Sequence, residues 1–82
     1  MNKLIATIKK NSIDEIQIGL TEFKVHDLIN IRVYTEIENG KDMVPTKKGL
    51  TCNVKLLPDL IKALNEAEQV AIKEGLIYEK KP

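Results

Sequence analysis

Glu15-Ile16-Gln17-Ile18-Gly19-Leu20-Thr21-Glu22-Phe23-Lys24 alternates apolar and polar residues, and Leu28-Ile29-Asn30-Ile31-Arg32-Val33-Tyr34-Thr35-Glu36-Ile37 repeats the pattern more strongly. A period of two predicts strands with one buried face, because successive side chains of an extended chain point to opposite sides. In the first stretch Ile16, Ile18 and Leu20 share one side, with Gln17, Gly19, Thr21 and Phe23 on the other. In the second, Ile29, Ile31, Val33 and Ile37 form the apolar side, opposed by Asn30, Arg32, Tyr34 and Glu36. The polar Lys24-Val25-His26-Asp27 between them reads as a turn.

Outward from this pair, Glu38-Asn39-Gly40-Lys41 carries Asn-Gly between β-rich segments, a strong hairpin signal. Met43 and Val44 predict a short third strand that Pro45 ends or confines to an edge. Lys47-Lys48-Gly49 then leads into a short fourth strand, Leu50-Thr51-Cys52. Residues 3 to 10 alternate weakly through Leu4, Ala6 and Ile8 and lean to a strand. Leu57, Leu60, Ile61, Leu64, Ala67 and Ala71 recur three or four apart and make one helical stripe. Either Asn53 caps that helix with Pro58 in its second turn, or residues 53 to 57 form a turn and Pro58 sits at the first helical position. Gly75 serves as the C-cap. The fold class is α+β: a four-stranded antiparallel sheet followed by one C-terminal helix, in a single domain over residues 1–82. The helical stripe has two possible partners, the sheet of its own chain or the same helix of a second copy.

Composition narrows the function. The chain has 82 residues, 43% of them hydrophobic and 30% charged, an ordinary globular balance that argues against disorder. No apolar run approaches the roughly 18 residues of a membrane span, and the charged Lys9-Lys10 follows the start too soon for a secretory signal. A cytoplasmic location without a membrane partner is the expectation, with nucleoid association if the chain is bacterial. With one cysteine, one histidine and three aromatic residues, neither disulfides nor zinc can staple so short a chain, so self-association is expected. Thirteen basic against twelve acidic residues leave a net charge of +1, so a basic site has to come from placement.

Placement supplies one. Phe23 and Tyr34, hydrogen-bonding Gln17, Thr21, Asn30 and Thr51, and cationic Arg32, Lys47, Lys48 and Lys24 fall on or beside the polar sheet face. Rings, amides and cations on one open face suit single-stranded nucleic acid, whose bases stack at about 1–3 kcal/mol each while Lys and Arg follow the phosphates. Each residue also has a plainer reading: Phe23 packing under a loop or a partner, Tyr34 covering the core rim, Arg32 pairing with Glu22 or Glu36, and Lys47-Lys48 guarding an edge strand. Cys52 lies on the apolar phase as a small hydrophobe, and His26 reads as a turn residue. Adjacent Asp14-Glu15 point to opposite faces, and no glycine-rich phosphate loop occurs. No enzyme, catalytic residue, metal site or cofactor is expected.

The order Ile16 to Lys24, Leu28 to Tyr34, Asn39-Gly40, Pro45-Thr46-Lys47-Lys48-Gly49-Leu50-Thr51 and Leu56-Leu57-Pro58-Asp59-Leu60 resembles the positive cofactor 4 family of transcriptional coactivators, in particular its short bacterial members. The match covers roughly residues 13 to 67. The resemblance implies dimerisation through the helices and sequence-tolerant binding of single-stranded or unpaired DNA on the sheets, with transcription machinery as a further possible partner. It places Phe23 at the stacking phenylalanine, Lys24 at the adjacent lysine, Arg32 at the arginine of an Ile-Arg motif, Lys47 and Lys48 at the basic pair before Gly49, and Lys10 at a further phosphate-binding lysine. Two positions depart from the pattern: Thr35 stands where eukaryotic members have a tryptophan, and His26 where a lysine is common. Both changes imply weaker binding, or reliance on Tyr34.

The leading reading is a homodimeric single-stranded DNA-binding protein with a transcription cofactor role. Its site would be Lys10, Phe23, Lys24, Arg32, Tyr34, Lys47 and Lys48. The alternatives are a dimeric protein-interaction module and a single-stranded RNA binder.

Overall fold

The computed structural model describes residues 2–38, 40 and 42–78. Strands β1 (Lys3–Lys9), β2 (Asp14–Phe23), β3 (His26–Ile37) and β4 (Asp42–Asn53) form an antiparallel sheet in sequence order. A 3₁₀ turn over Val54–Leu56 leads into helix α1 (Leu57–Lys73). The architecture is the one the alternation predicts.

Register explains the two faces. Ile16 pairs with Val33, Ile18 with Ile31 and Leu20 with Ile29, and partners across an antiparallel pair share a face. The outer strands extend the apolar side, with Ile8 opposite Ile16, Ala6 opposite Ile18, Leu50 opposite Ile31 and Cys52 opposite Ile29. The weak alternation of residues 3 to 10 is thus a true edge strand. A register shift between Leu4 and Ala6 interrupts it, and places Leu4 opposite Gly19 on the polar side.

Three expectations need correction. The turn between β2 and β3 is shorter than the polar run Lys24–Asp27, because Phe23 pairs with His26 and Glu22 with Asp27. Only Lys24 and Val25 make the turn, and His26 is a strand residue. The two short strands around Pro45 are one continuous strand, β4. Pro45 does not end it, because the ladder slips between Arg32 and Tyr34 and resumes with Tyr34 opposite Pro45. A proline is tolerated at such an irregularity on an edge strand, where no inner ladder bond is lost. Of the Asn-Gly turn, Asn39 and Lys41 lie outside the described residues.

Gly49 stands at that slip. A Cβ there would meet the Ile31 carbonyl and come within 2.8 Å of Arg32 Cα, so β3 and β4 approach too closely for any side chain.

The helix takes the second of its two possible starts. The Asn53 side chain accepts the Lys55 N–H at 2.9 Å and caps the 3₁₀ turn, while Pro58 lies in the first turn of α1, where a missing N–H costs nothing. At the other end Gly75 has φ +75°, its N–H bonds the Ile72 carbonyl (3.0 Å) and the Leu76 N–H bonds the Ala71 carbonyl (2.8 Å). This is a Schellman cap. Leu76 to Tyr78 therefore leave the helix and run exposed.

Helix α1 does not pack back on its own sheet; its main neighbour is the 3₁₀ turn. Ile61 and Leu64 of the stripe are 50% and 63% exposed, and Ile29 is the one buried hydrophobic residue among those described. The radius of gyration, 15.1 Å, exceeds the about 12 Å of a compact chain this long. The chain has two apolar surfaces, one on the sheet and one on the helix, and neither covers the other.

The β1–β2 turn is held by Asn11, whose Oδ1 accepts the N–H groups of Ile13 (3.0 Å) and Asp14 (2.8 Å) and whose amide donates to Asp14 (3.1 Å). Hydrogen bonds from Thr35 first and Asn11 second, aided by the charges of Lys10 and Lys48, hold the Asp14 carboxyl below its usual range. A carboxylate so lowered stabilises the fold above its unfolded pKa, and that contribution is lost as pH falls through the folded value. Asp14→Asn should therefore melt below the parent at neutral pH, and the gap in melting temperature should close below about pH 4. Gly49→Ala should lower stability by roughly 2–3 kcal/mol in denaturant titrations.

Candidate nucleic-acid interface

The register that gathers the isoleucines also gathers the polar residues. Gln17 pairs with Arg32, Gly19 with Asn30, Glu15 with Tyr34 and Phe23 with His26. On this face a shallow groove of about 360 Å³ is bounded by Asn2, Lys3 and Leu4 on one side and by Gln17, Gly19, Phe23, Asn30 and Tyr34 on the other. Both proposed stacking rings thus border one groove. Phe23 is 62% exposed and packs under no loop, whereas Tyr34 is half-buried. The Lys24 ammonium lies 5.5 Å from the Phe23 ring centroid, within cation–π range. Lys24 reaches that position from a backbone φ of +57°, uncommon for a residue with a side chain. Ring and cation are thus displayed together at the tip of the β2–β3 hairpin.

Arg32 occupies the middle of the face. Its Nε donates to Asn30 Oδ1 (3.4 Å), Nη1 to the Thr46 carbonyl (3.1 Å) and Nη2 to Thr51 Oγ1 (3.3 Å). Thr51 in turn donates to Asn30 Oδ1 at 2.9 Å. All three acceptors are neutral, so these bonds orient the guanidinium on the sheet face without cancelling its charge. Glu15, on the same face, accepts from Gln17 Nε2 at 2.7 Å.

The remaining lysines lie farther along. Lys47 and Lys48 are exposed on β4 at the register slip. Lys10 follows β1, with its N–H on the Asp14 carbonyl at 3.0 Å. Lys10 and Lys48 both act on the Asp14 carboxylate, which places them toward the start of β2. Phe23 and Lys24 are at its other end, nine residues on, about 30 Å at 3.3 Å per residue. The seven candidates thus form a track and not one cluster: Phe23 and Lys24 at one end, Arg32 in the middle, and Tyr34, opposite Glu15, with the lysines toward the other.

Some of the site was not legible in the sequence. Asn2, Lys3 and Leu4 join the groove only because β1 shifts register, and the side-chain-free Gly19 opposite Leu4 was the one available signal. Thr35, noted only for the ring it lacks, bonds the Asp14 carboxylate and fixes the β1–β2 turn against β3. Among the described residues no group of three or more His, Cys, Asp or Glu is arranged to hold a metal ion, and no helix is long and apolar enough to cross a membrane.

Comparison with known proteins agrees with this geometry. The family model of transcriptional coactivator p15 (PC4) matches residues 10–63, about two thirds of the chain. A PC4 homolog from Burkholderia pseudomallei, solved in an orthorhombic crystal form, is similar at 27% identity and a TM-score of 0.75, over 82% of this chain and 89% of that one. Its tetragonal form gives 26% identity and the same TM-score, over 83% and 98%. A bacteriophage T5 homolog of the eukaryotic coactivator PC4, described as implicated in recombination-dependent DNA replication, shares the fold at a TM-score of 0.66 and 18% identity, over 92% of this chain and 88% of that one. No curated protein matches. With a sheet of this register, a helix at its end and a family model that runs from the β1–β2 turn into α1, the chain belongs to the transcriptional coactivator p15 (PC4) family.

Proposed function

We propose that this protein binds single-stranded or unpaired DNA with little sequence preference, as a homodimer with a transcription cofactor role. The observation that carries the reading is the open polar sheet face, where Phe23 and Tyr34 border one groove and Arg32 stands on neutral partners. Bases would stack on Phe23 and Tyr34, while Lys24, Arg32, Lys47, Lys48 and Lys10 would hold phosphates along the track. Stacking is indifferent to base identity because every base has a π-face, and phosphates are the same at every step. The sheet offers no recognition helix for a duplex groove, since α1 carries an apolar stripe and does not pack on the sheet.

The dimer follows from the two uncovered apolar surfaces. A second copy can lay its α1 stripe, centred on Leu57, Leu60, Ile61 and Leu64, against the first, and help cover the apolar sheet faces. Burial of exposed Ile8, Leu50, Ile61 and Leu64 would supply the core that one protomer lacks. A role in transcription is what the family's description supports; the phage homolog's link to replication is compatible with the same binding activity.

Anisotropy titrations with a labelled mixed-sequence strand of about 20 nucleotides should give affinity that falls steeply with salt, with duplex competing poorly. Phe23→Ala and Arg32→Ala should each weaken binding by roughly tenfold or more. Variants that bind like the parent while remaining dimeric would overturn the site, and better competition by RNA would make RNA the ligand. Sedimentation should give twice the 9.3 kDa protomer mass, and Leu64→Asp should shift the protein to monomer.

A further inference from the structure

Thr46 sits where β4 slips past β3, and it is bonded on three sides. Its hydroxyl donates to the Val33 carbonyl (2.8 Å) and accepts the Lys48 N–H (3.1 Å), while its own carbonyl accepts from Arg32 Nη1 (3.1 Å). The slip leaves Val33 without a paired partner on β4. The Thr46 hydroxyl occupies that gap in the ladder and turns the Thr46 carbonyl toward the guanidinium. With Asn30 and Thr51 it completes a cradle of neutral acceptors on two strands. A guanidinium has five N–H donors; with three held by the cradle, two remain for an anion. Because the cradle is neutral, it orients Arg32 without cancelling the charge that attracts phosphate.

We propose that Thr46 is a positioning residue for nucleic-acid binding, which sets Arg32 through its carbonyl and Lys48 through its hydroxyl without touching the strand. The inference rests on the sheet-face reading above. Its physical basis is preorganisation: an arginine already fixed in its binding rotamer loses less side-chain freedom when a phosphate arrives. The irregularity in β4 is then a functional device, and Gly49, which lets the two strands close beside it, belongs to the same device.

The test is a double-mutant cycle read by anisotropy with the labelled single strand, folding being checked by thermal melting. Thr46→Val keeps shape and strand preference but removes both hydroxyl bonds, and it should weaken binding about five- to tenfold. In an Arg32→Gln background the same change should cost no more than about twofold. Thr46→Ser should restore binding to near the parent value. In the free protein, the Arg32 Nη1 protons, one of which the Thr46 carbonyl accepts, should exchange slowly by NMR in the parent and rapidly in Thr46→Val. An equal loss from Thr46→Val in both backgrounds, or parental binding by Thr46→Val, would overturn this inference alone. Parental binding by Arg32→Gln would instead overturn the sheet-face reading, and this inference with it. If Thr46→Val fails to fold, the Arg32 Nη1 protons of the parent decide, and free exchange there would refute the hold of Thr46 on Arg32.

Discussion

The pairing of β2 with β3 is the constraint on which everything else depends. Ile18 opposite Ile31 and Gln17 opposite Arg32 are consecutive steps of one ladder, so a single register sets both faces at once. A slip of one residue would turn every isoleucine to the polar side and every functional side chain inward. The bulk of Ile16, Ile18, Ile29, Ile31 and Val33 therefore does more than hold the sheet together. It fixes which way Phe23, Arg32 and Tyr34 point, and selection of the apolar face is selection of the proposed binding face.

The edge strands adjust what the central pair sets. Both depart from regular pairing, β1 between Leu4 and Ala6 and β4 opposite Arg32 to Tyr34. Irregularities at sheet edges re-aim side chains and bend the strand that carries them. In β1 the shift brings Leu4 round to wall the groove beside Phe23 and Tyr34, and in β4 it delivers a main-chain carbonyl to Arg32. The apolar side is left open. With α1 not packed on its own sheet and its stripe exposed, the chain alone resembles half of a core. Its small store of aromatic bulk fits that picture, since three rings cannot fill a core within one short chain.

Periodicity reveals what repeats, and the faces of β2 and β3 and the stripe of α1 repeat cleanly enough to be read from the sequence. What it missed are single events. Pro45 reads as ending its strand or confining it to an edge; β4 is an edge strand and runs through it, because the ladder has already slipped at that point. His26 reads as a turn residue because it is polar, but a two-residue turn at Lys24 and Val25 suffices once Lys24 adopts a positive φ. The candidate binding residues were legible as types on one face. Their spacing was not: that Phe23 and Tyr34 border one groove from opposite ends of β2, with Lys10 toward the Tyr34 end, depends on strand pairing, which a single sequence only implies. Thr46 and Asn30 escaped notice as supports because their importance lies in hydrogen bonds across strands, and no local pattern records those.

The most direct measurement is ultraviolet crosslinking of the protein to a thymine-rich single strand, with the adducts mapped by mass spectrometry. Contact at short range between a base and a ring is what the account requires. It predicts adducts on Phe23 and Tyr34, within the groove that β1, β2 and β3 enclose. Adducts confined to α1 or the 3₁₀ turn, with both rings unmodified, would contradict it and place the strand on the opposite side of the molecule.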